Sequence, residues 1–169
     1  MLLNWFDTAP RRVLALLCAV CVAMLAFGLY LQHVVGLEPC PMCIVQRYAL
    51  VFVAIVSALT LASGNKFIQM AAEVLLLLGA GFGAFVAARQ SWLQWYPPEV
   101  ATCGRDFYGM IETFPLRSAI PMIFKGGGDC SKVDWTFLGL SIANWSFLSF
   151  VAITLVVLVL LVRTAQRKN

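Results

Sequence analysis

A chain of 169 residues that is 62% hydrophobic and 12% charged, with a mean hydropathy of +0.87, cannot hide its apolar surface as a soluble domain. The formal net charge of +4 is modest, and the basic residues are scattered or stand at helix ends rather than forming one stripe, which argues against nucleic acid as a partner. Length allows one domain, read here as a single membrane domain over residues 1–169.

A bilayer core needs about 20 mainly apolar residues per helix, and four stretches qualify. Arg11-Arg12 precedes an apolar run too long for a signal h-region, with no convincing small-residue cleavage site after it, so no cleavable signal peptide is expected. That run, Val13 to Leu31, is uncharged and forms the first span. Cys18 and Cys21 fall inside it on one face, where a thiol has little access to solvent, and are read as small packing residues. Cys40-Pro-Met-Cys43 follows, at the entrance to the second span, Ile44 to Ser63, whose only charge is Arg47. Ser63-Gly64-Asn65-Lys66 is so short that it must be a tight helical hairpin. The third span, Phe67 to Ala88, carries only Glu73, read as a snorkelling or paired charge. The fourth, Trp145 to Val162, is again uncharged.

Between spans three and four, about residues 90–144, lies the only room for an extramembrane element. The stretch Phe114 to Phe124 is unusually apolar, and Pro115 and Pro121 rule out a long straight helix. A short helix on the membrane surface is expected there. Gly126-Gly127-Gly128 then gives Cys130 either a mobile tether or an ordinary glycine turn. The fold class is therefore an all-α membrane protein, a four-transmembrane-helix bundle with one long loop.

Four spans put both termini on one side. Arg11, Arg12, Lys66, Arg163, Arg167 and Lys168 gather there, which makes that side cytoplasmic. Loop basic residues such as Arg105 and Lys132 are accompanied by acidic ones such as Asp106 and Asp134. Trp5, Trp92, Trp95, Tyr96, Trp135 and Trp145 fall at or near the predicted helix ends, where rings anchor at the headgroups. Trp92 and Trp95 can also flank a ligand.

On this topology Cys40, Cys43, Cys103 and Cys130 face the outer compartment, where disulfides form and persist. Pro39 and Pro41 frame the turn, and proline suits the first helical position, which puts Cys43 in the first turn of a helix. Unpaired N–H groups and the helix dipole there favour a thiolate. Arg47, four residues on, shares the face of Cys43. It can stabilise a thiolate, hydrogen-bond a ligand oxygen or snorkel to the headgroups. A structural bridge and a metal site compete with a redox pair. A zinc site would want two close pairs of ligands, and Cys103 and Cys130 do not make a second Cys-x-x-Cys. No metal is expected.

Cys40-Pro-Met-Cys43-Ile-Val-Gln-Arg47, Leu93-Gln-Trp-Tyr-Pro97, Ala101-Thr-Cys103, Gly128-Asp-Cys130 and Trp135-Thr-Phe-Leu-Gly-Leu140, in this order and with four spans, resemble the disulfide bond formation protein B (DsbB) family over nearly the whole chain. The resemblance implies a bacterial inner-membrane enzyme. A DsbA-like periplasmic dithiol oxidase would attack a Cys103–Cys130 disulfide at Cys103. Released Cys130 would attack a Cys40–Cys43 disulfide at Cys40. Cys43 would then face a membrane quinone, ubiquinone or menaquinone, held by Arg47. Only a more oxidising acceptor can draw electrons from a dithiol oxidase at about −120 mV, which is why a quinone sink is implied.

Where family members carry a histidine near the quinone, this chain reads Arg89-Gln90. Gln90 can hydrogen-bond a quinone oxygen but cannot supply a proton, and Gln46 is a further neighbour. A reductase of the vitamin K epoxide type is the rival enzyme, but there the loop cysteines precede the Cys-x-x-Cys. A disulfide-held scaffolding or metal-binding membrane protein is the rival outside catalysis.

Overall fold

A computed structural model describes residues 10–97, 121 and 128–166. The described part is helical apart from one small hairpin: α1 (Pro10–His33), α2 (Pro41–Ala62), α3 (Lys66–Trp95), a single turn α4 (Gly128–Ser131), strands β1 (Thr136–Phe137) and β2 (Leu140–Ser141), and α5 (Ile142–Gln166). All four long helices are long and apolar enough to cross a membrane. The protein is an all-α, four-helix, multi-pass membrane bundle.

Local chemistry sets the helix ends. Gly36 takes a left-handed φ of +80°, and the Leu37 N–H folds back to the Leu31 carbonyl at 3.1 Å, closing α1. Pro41 opens α2 with Cys40 as its N-cap, and Asn65 caps α3 by accepting from the Phe67 N–H at 2.9 Å. α3 runs past its expected end to Trp95, so Gln90 is a helical residue and the loop is shorter than the expected 90–144. Arg89, Gln90 and Ser91 are polar, which made them read as an exit from the bilayer. The pattern Val86, Ala87, Gln90, Ser91, Leu93 nevertheless keeps one helical face buried until the helix ends at Trp95, just before Pro97. α5 likewise begins earlier than expected, at Ile142.

The hairpin was not foreseen. Thr136 pairs with Ser141 and Phe137 with Leu140 around Leu138 (φ 53°) and Gly139 (φ 78°), both left-handed as a tight hairpin turn requires. The surface helix expected at 114–124 and the tether residues Gly126 and Gly127 lie outside the described residues, apart from Pro121. Gly128 itself belongs to α4.

α1 packs on α2, α2 on α3 and α3 on α5, whereas α1 and α5 share no comparable contact among the described residues. The core joins Leu14, Leu17, Cys21, Val53, Leu76, Phe150, Val157 and Leu160. Cys21 is fully buried there and Cys18 packs against it, as packing residues would. The α3–α5 seam is held close by Gly83, since a Cβ there would stand 2.2 Å from the Phe150 ring. Small residues at helix seams are the usual device where lipid competes for apolar surface. Glu73 is buried beneath this seam and accepts from the Thr164 hydroxyl at 2.9 Å, so it does not snorkel. Arg11 reaches the α2–α3 turn at Gly64. The opposite end of the bundle gathers Cys40, Cys43, Gln90 and Cys130.

Candidate functional site

Cys40 and Cys43 come together because a helix start brings positions three apart onto one turn. Their sulfurs stand 2.9 Å apart, and the Cys43 N–H donates to Cys40 Sγ at 3.4 Å. The two sulfurs thus stand within reach of a disulfide. Cys40 is buried and Cys43 partly open.

Cys130, on α4, is 1% exposed and sits in one apolar cluster with Cys40, Met42, Val86 and Leu93. It is a hydrogen-bond partner of Cys40, and bonds to Cys130 and Cys43 together with burial push the Cys40 thiol well above its ordinary range. Three of the four expected redox cysteines therefore meet at one point. Cys103 lies outside the described residues.

The two glutamines expected at the site are both present and buried. Gln46 Nε2 donates to Gln90 Oε1 at 2.7 Å, and Gln90 Nε2 faces Cys40 Sγ at 3.3 Å and Cys43 Sγ at 3.2 Å. Arg47 does not snorkel. Its Nη1 donates to Gln32 Oε1 and its Nη2 to the Gly28 carbonyl at 3.0 Å, both on α1.

Beside these groups, in the gap between α1 and α5, opens a cavity of about 600 Å³. Its walls are mainly apolar, with Met24, Phe27, Leu31 and Leu50 on one side and Ile142 and Trp145 on the other. Cys43, Gln46, Arg47 and Gln90 supply its polar corner. The hairpin closes over one side through Trp135 and Phe137, whose rings stack at 6.0 Å. Trp145 Nε1 donates to the Phe137 carbonyl at 3.0 Å.

Two expectations change here. Trp135 and Trp145 line the cavity rather than serving only as anchors, while Trp92 and Trp95 are not among its lining residues and Trp92 packs on Tyr96. Gln32 and Gly28 were missed. The available signal was a polar side chain in the last turn of an otherwise apolar span, with a glycine one turn before it. Among the described residues no group of three or more His, Cys, Asp or Glu side chains is placed to hold a metal.

Known proteins carry the same arrangement of sequence. The family model described as "Disulfide bond formation protein DsbB" matches residues 10–160. A curated relative from Polaromonas sp. (strain JS666), named Disulfide bond formation protein B, is 71% identical over 168 residues, 99% of this chain and 100% of its own. One from Acidovorax sp. (strain JS42), with the same name, is 72% identical over 162 residues, 96% of this chain and 93% of its own. A more distant one from Aromatoleum aromaticum, so named too, is 51% identical over 166 residues, 97% and 98% of the two chains. With a family match over most of its length and relatives this similar end to end, the chain belongs to the DsbB family of membrane oxidoreductases in disulfide bond formation.

Proposed function

We propose that the protein is a thiol:quinone oxidoreductase of the bacterial inner membrane. It would reoxidise a DsbA-like periplasmic dithiol oxidase through Cys103–Cys130 and Cys40–Cys43 and deliver the electrons to the membrane quinone pool. Both termini would lie in the cytoplasm and the redox cysteines on the periplasmic side, which the gathering of Arg11, Lys66 and Arg163 at the far end supports.

The observation that carries the reading is the mainly apolar cavity between α1 and α5, whose polar corner holds Cys43 and Arg47. Its volume falls within the range of small-molecule sites, about 300–1,000 Å³. The lining fits a quinone: apolar surface for ring and tail, and a guanidinium for a carbonyl oxygen. Two of the five Arg47 donors are used on Gln32 and Gly28, so the side chain is held in place with donors to spare. A quinone, when bound, supplies a two-electron, two-proton acceptor.

The protein's own residues perform the sulfur chemistry. The partner's thiolate attacks Cys103 and displaces Cys130 as a thiolate. Cys130 attacks Cys40, beside which it lies buried. The electron pair of the broken Cys40–Cys43 bond stays on Cys43, the member of the pair in the first helical turn and on the cavity wall. The apolar cluster around Cys40 and Cys130 keeps water from the exchange.

Purified protein mixed with a reduced DsbA-like oxidase and a quinone tests the reading. Quinone absorbance should fall as the partner's disulfide appears, one for one. Partner oxidation with no change in the quinone would sink it.

A further inference from the structure

Gln90 touches both sulfurs of the Cys40–Cys43 pair and is itself held by Gln46. Both amides are buried, at 4% and 5% exposure, in a region where an unsatisfied polar group is costly. With Gln46 Nε2 donating to Gln90 Oε1 at 2.7 Å, the amide of Gln90 stands with its oxygen toward Gln46 and its Nε2 toward the two sulfurs. The side chain that sequence reasoning aimed at a quinone oxygen is thus committed to the sulfurs.

We propose that Gln46 and Gln90 form an orienting amide pair in which Gln90 is a positioning residue for the Cys40–Cys43 couple, donating to Cys43 Sγ as that sulfur takes up the electron pair. In the exchange, the Cys130 thiolate forms a bond to Cys40 and the Cys40–Cys43 bond breaks. Its electron pair remains on Cys43, and no proton need move. The charge appears 3.2 Å from Gln90 Nε2. Charge-assisted hydrogen bonds are about twice as strong as neutral ones, so the contact favours the broken bond over the intact one.

When Cys43 is instead a protonated thiol, its S–H can donate to Gln90 Oε1, 3.7 Å away. One amide therefore serves both states without titrating. Gln46 acts at one remove: without it, nothing fixes which end of the Gln90 amide meets sulfur.

This inference rests on the reading of Cys40 and Cys43 as a redox couple. Its test omits quinone, so its failure leaves quinone reduction standing, and failure of quinone reduction leaves the test valid. Full-length, quinone-stripped protein carrying Cys103→Ser and Cys130→Ser is equilibrated with dithiothreitol buffers, and the Cys40–Cys43 equilibrium is read by alkylation and mass. Gln90→Met should shift the couple about tenfold toward the disulfide, a potential about 30 mV more negative. Gln46→Met should move it the same way by less, and the double variant no further than Gln90→Met alone. Should Gln90→Met not yield folded protein, Gln90→Asn keeps the amide, withdraws its N–H from sulfur and should shift the couple in the same direction. A couple unmoved by loss or shortening of Gln90, or additive effects of the two glutamines, would overturn the proposal.

Discussion

Arg47 of α2 lies across the backbone of Gly28 on α1. Its Nη2 donates to the Gly28 carbonyl at 3.0 Å, and its Nε lies 3.5 Å from where a Cβ on residue 28 would stand. The guanidinium is aimed at the cavity by a residue that offers a carbonyl and takes no space. Hydrogen bonds to charged groups are worth about 1.5–3 kcal/mol, so Arg47→Ala should raise the apparent KM for quinone by about tenfold or more and change kcat less. Steady-state kinetics at varied quinone concentration checks this, and an unchanged KM would remove Arg47 from quinone binding. Gly28→Ala, whose methyl makes only ordinary contact, should keep the wild-type KM, whereas Gly28→Leu should displace the guanidinium and resemble Arg47→Ala.

The cysteines divide the reaction into separable steps. Cys103→Ser should abolish oxidation of the periplasmic partner. Cys130→Ser leaves no Cys103–Cys130 disulfide for the partner's thiolate to attack and no thiol beside Cys40, so Cys103 should stay alkylatable and the partner reduced. Cys43→Ser should abolish quinone reduction. Non-reducing gels with alkylated samples distinguish the three. Normal turnover in Cys130→Ser would show that the burial of Cys130 against Cys40 has no part in the exchange.

Gly83 fixes how closely α3 and α5 approach. A methyl there would stand 2.2–2.6 Å from three atoms of the Phe150 ring, which is itself fully buried and has nowhere to swing. Gly83→Ala should therefore destabilise the bundle by about 1–3 kcal/mol, the usual cost of overpacking. Gly81→Ala, with nothing within 4 Å, should be neutral or slightly stabilising. Thermal unfolding of the two variants in one detergent gives the comparison.

Leu138 holds φ 53° at the tip of the hairpin, 77% exposed, and a left-handed leucine costs roughly 1–2 kcal/mol relative to residues that tolerate the region. Leu138→Asn should stabilise the hairpin by up to about 1 kcal/mol, seen as slower amide exchange at Phe137 and Leu140. Exchange faster than in the parent would mean that Leu138 makes a contact worth more than its strain.

The spans were legible because Val13–Leu31 and Trp145–Val162 are long and uncharged, a pattern only lipid explains. The Cys40-Pro-Met-Cys43 helix start was legible because proline and cap chemistry act over a few residues. What escaped depends on distance in sequence. Nothing local reveals that Gln32 meets Arg47, that Gln90 turns its amide to sulfur rather than outward, or that Cys130 lies against Cys40. The hairpin escaped because Leu138-Gly139 lacks the Asn-Gly or Asp-Gly signal of its turn. The end of α3 was misplaced because Arg89-Gln90-Ser91 resembles an exit to water, whereas Gln90 and Ser91 are buried within the bundle.

The most direct test begins with the fully reduced, quinone-stripped protein, free of any partner, to which one equivalent of quinone is added without oxygen. The Cys40–Cys43 thiols should become resistant to alkylation as quinone absorbance is lost in equal amount, and Cys43→Ser should show neither change. Thiols that stay alkylatable while quinone remains oxidised would contradict electron transfer from this pair.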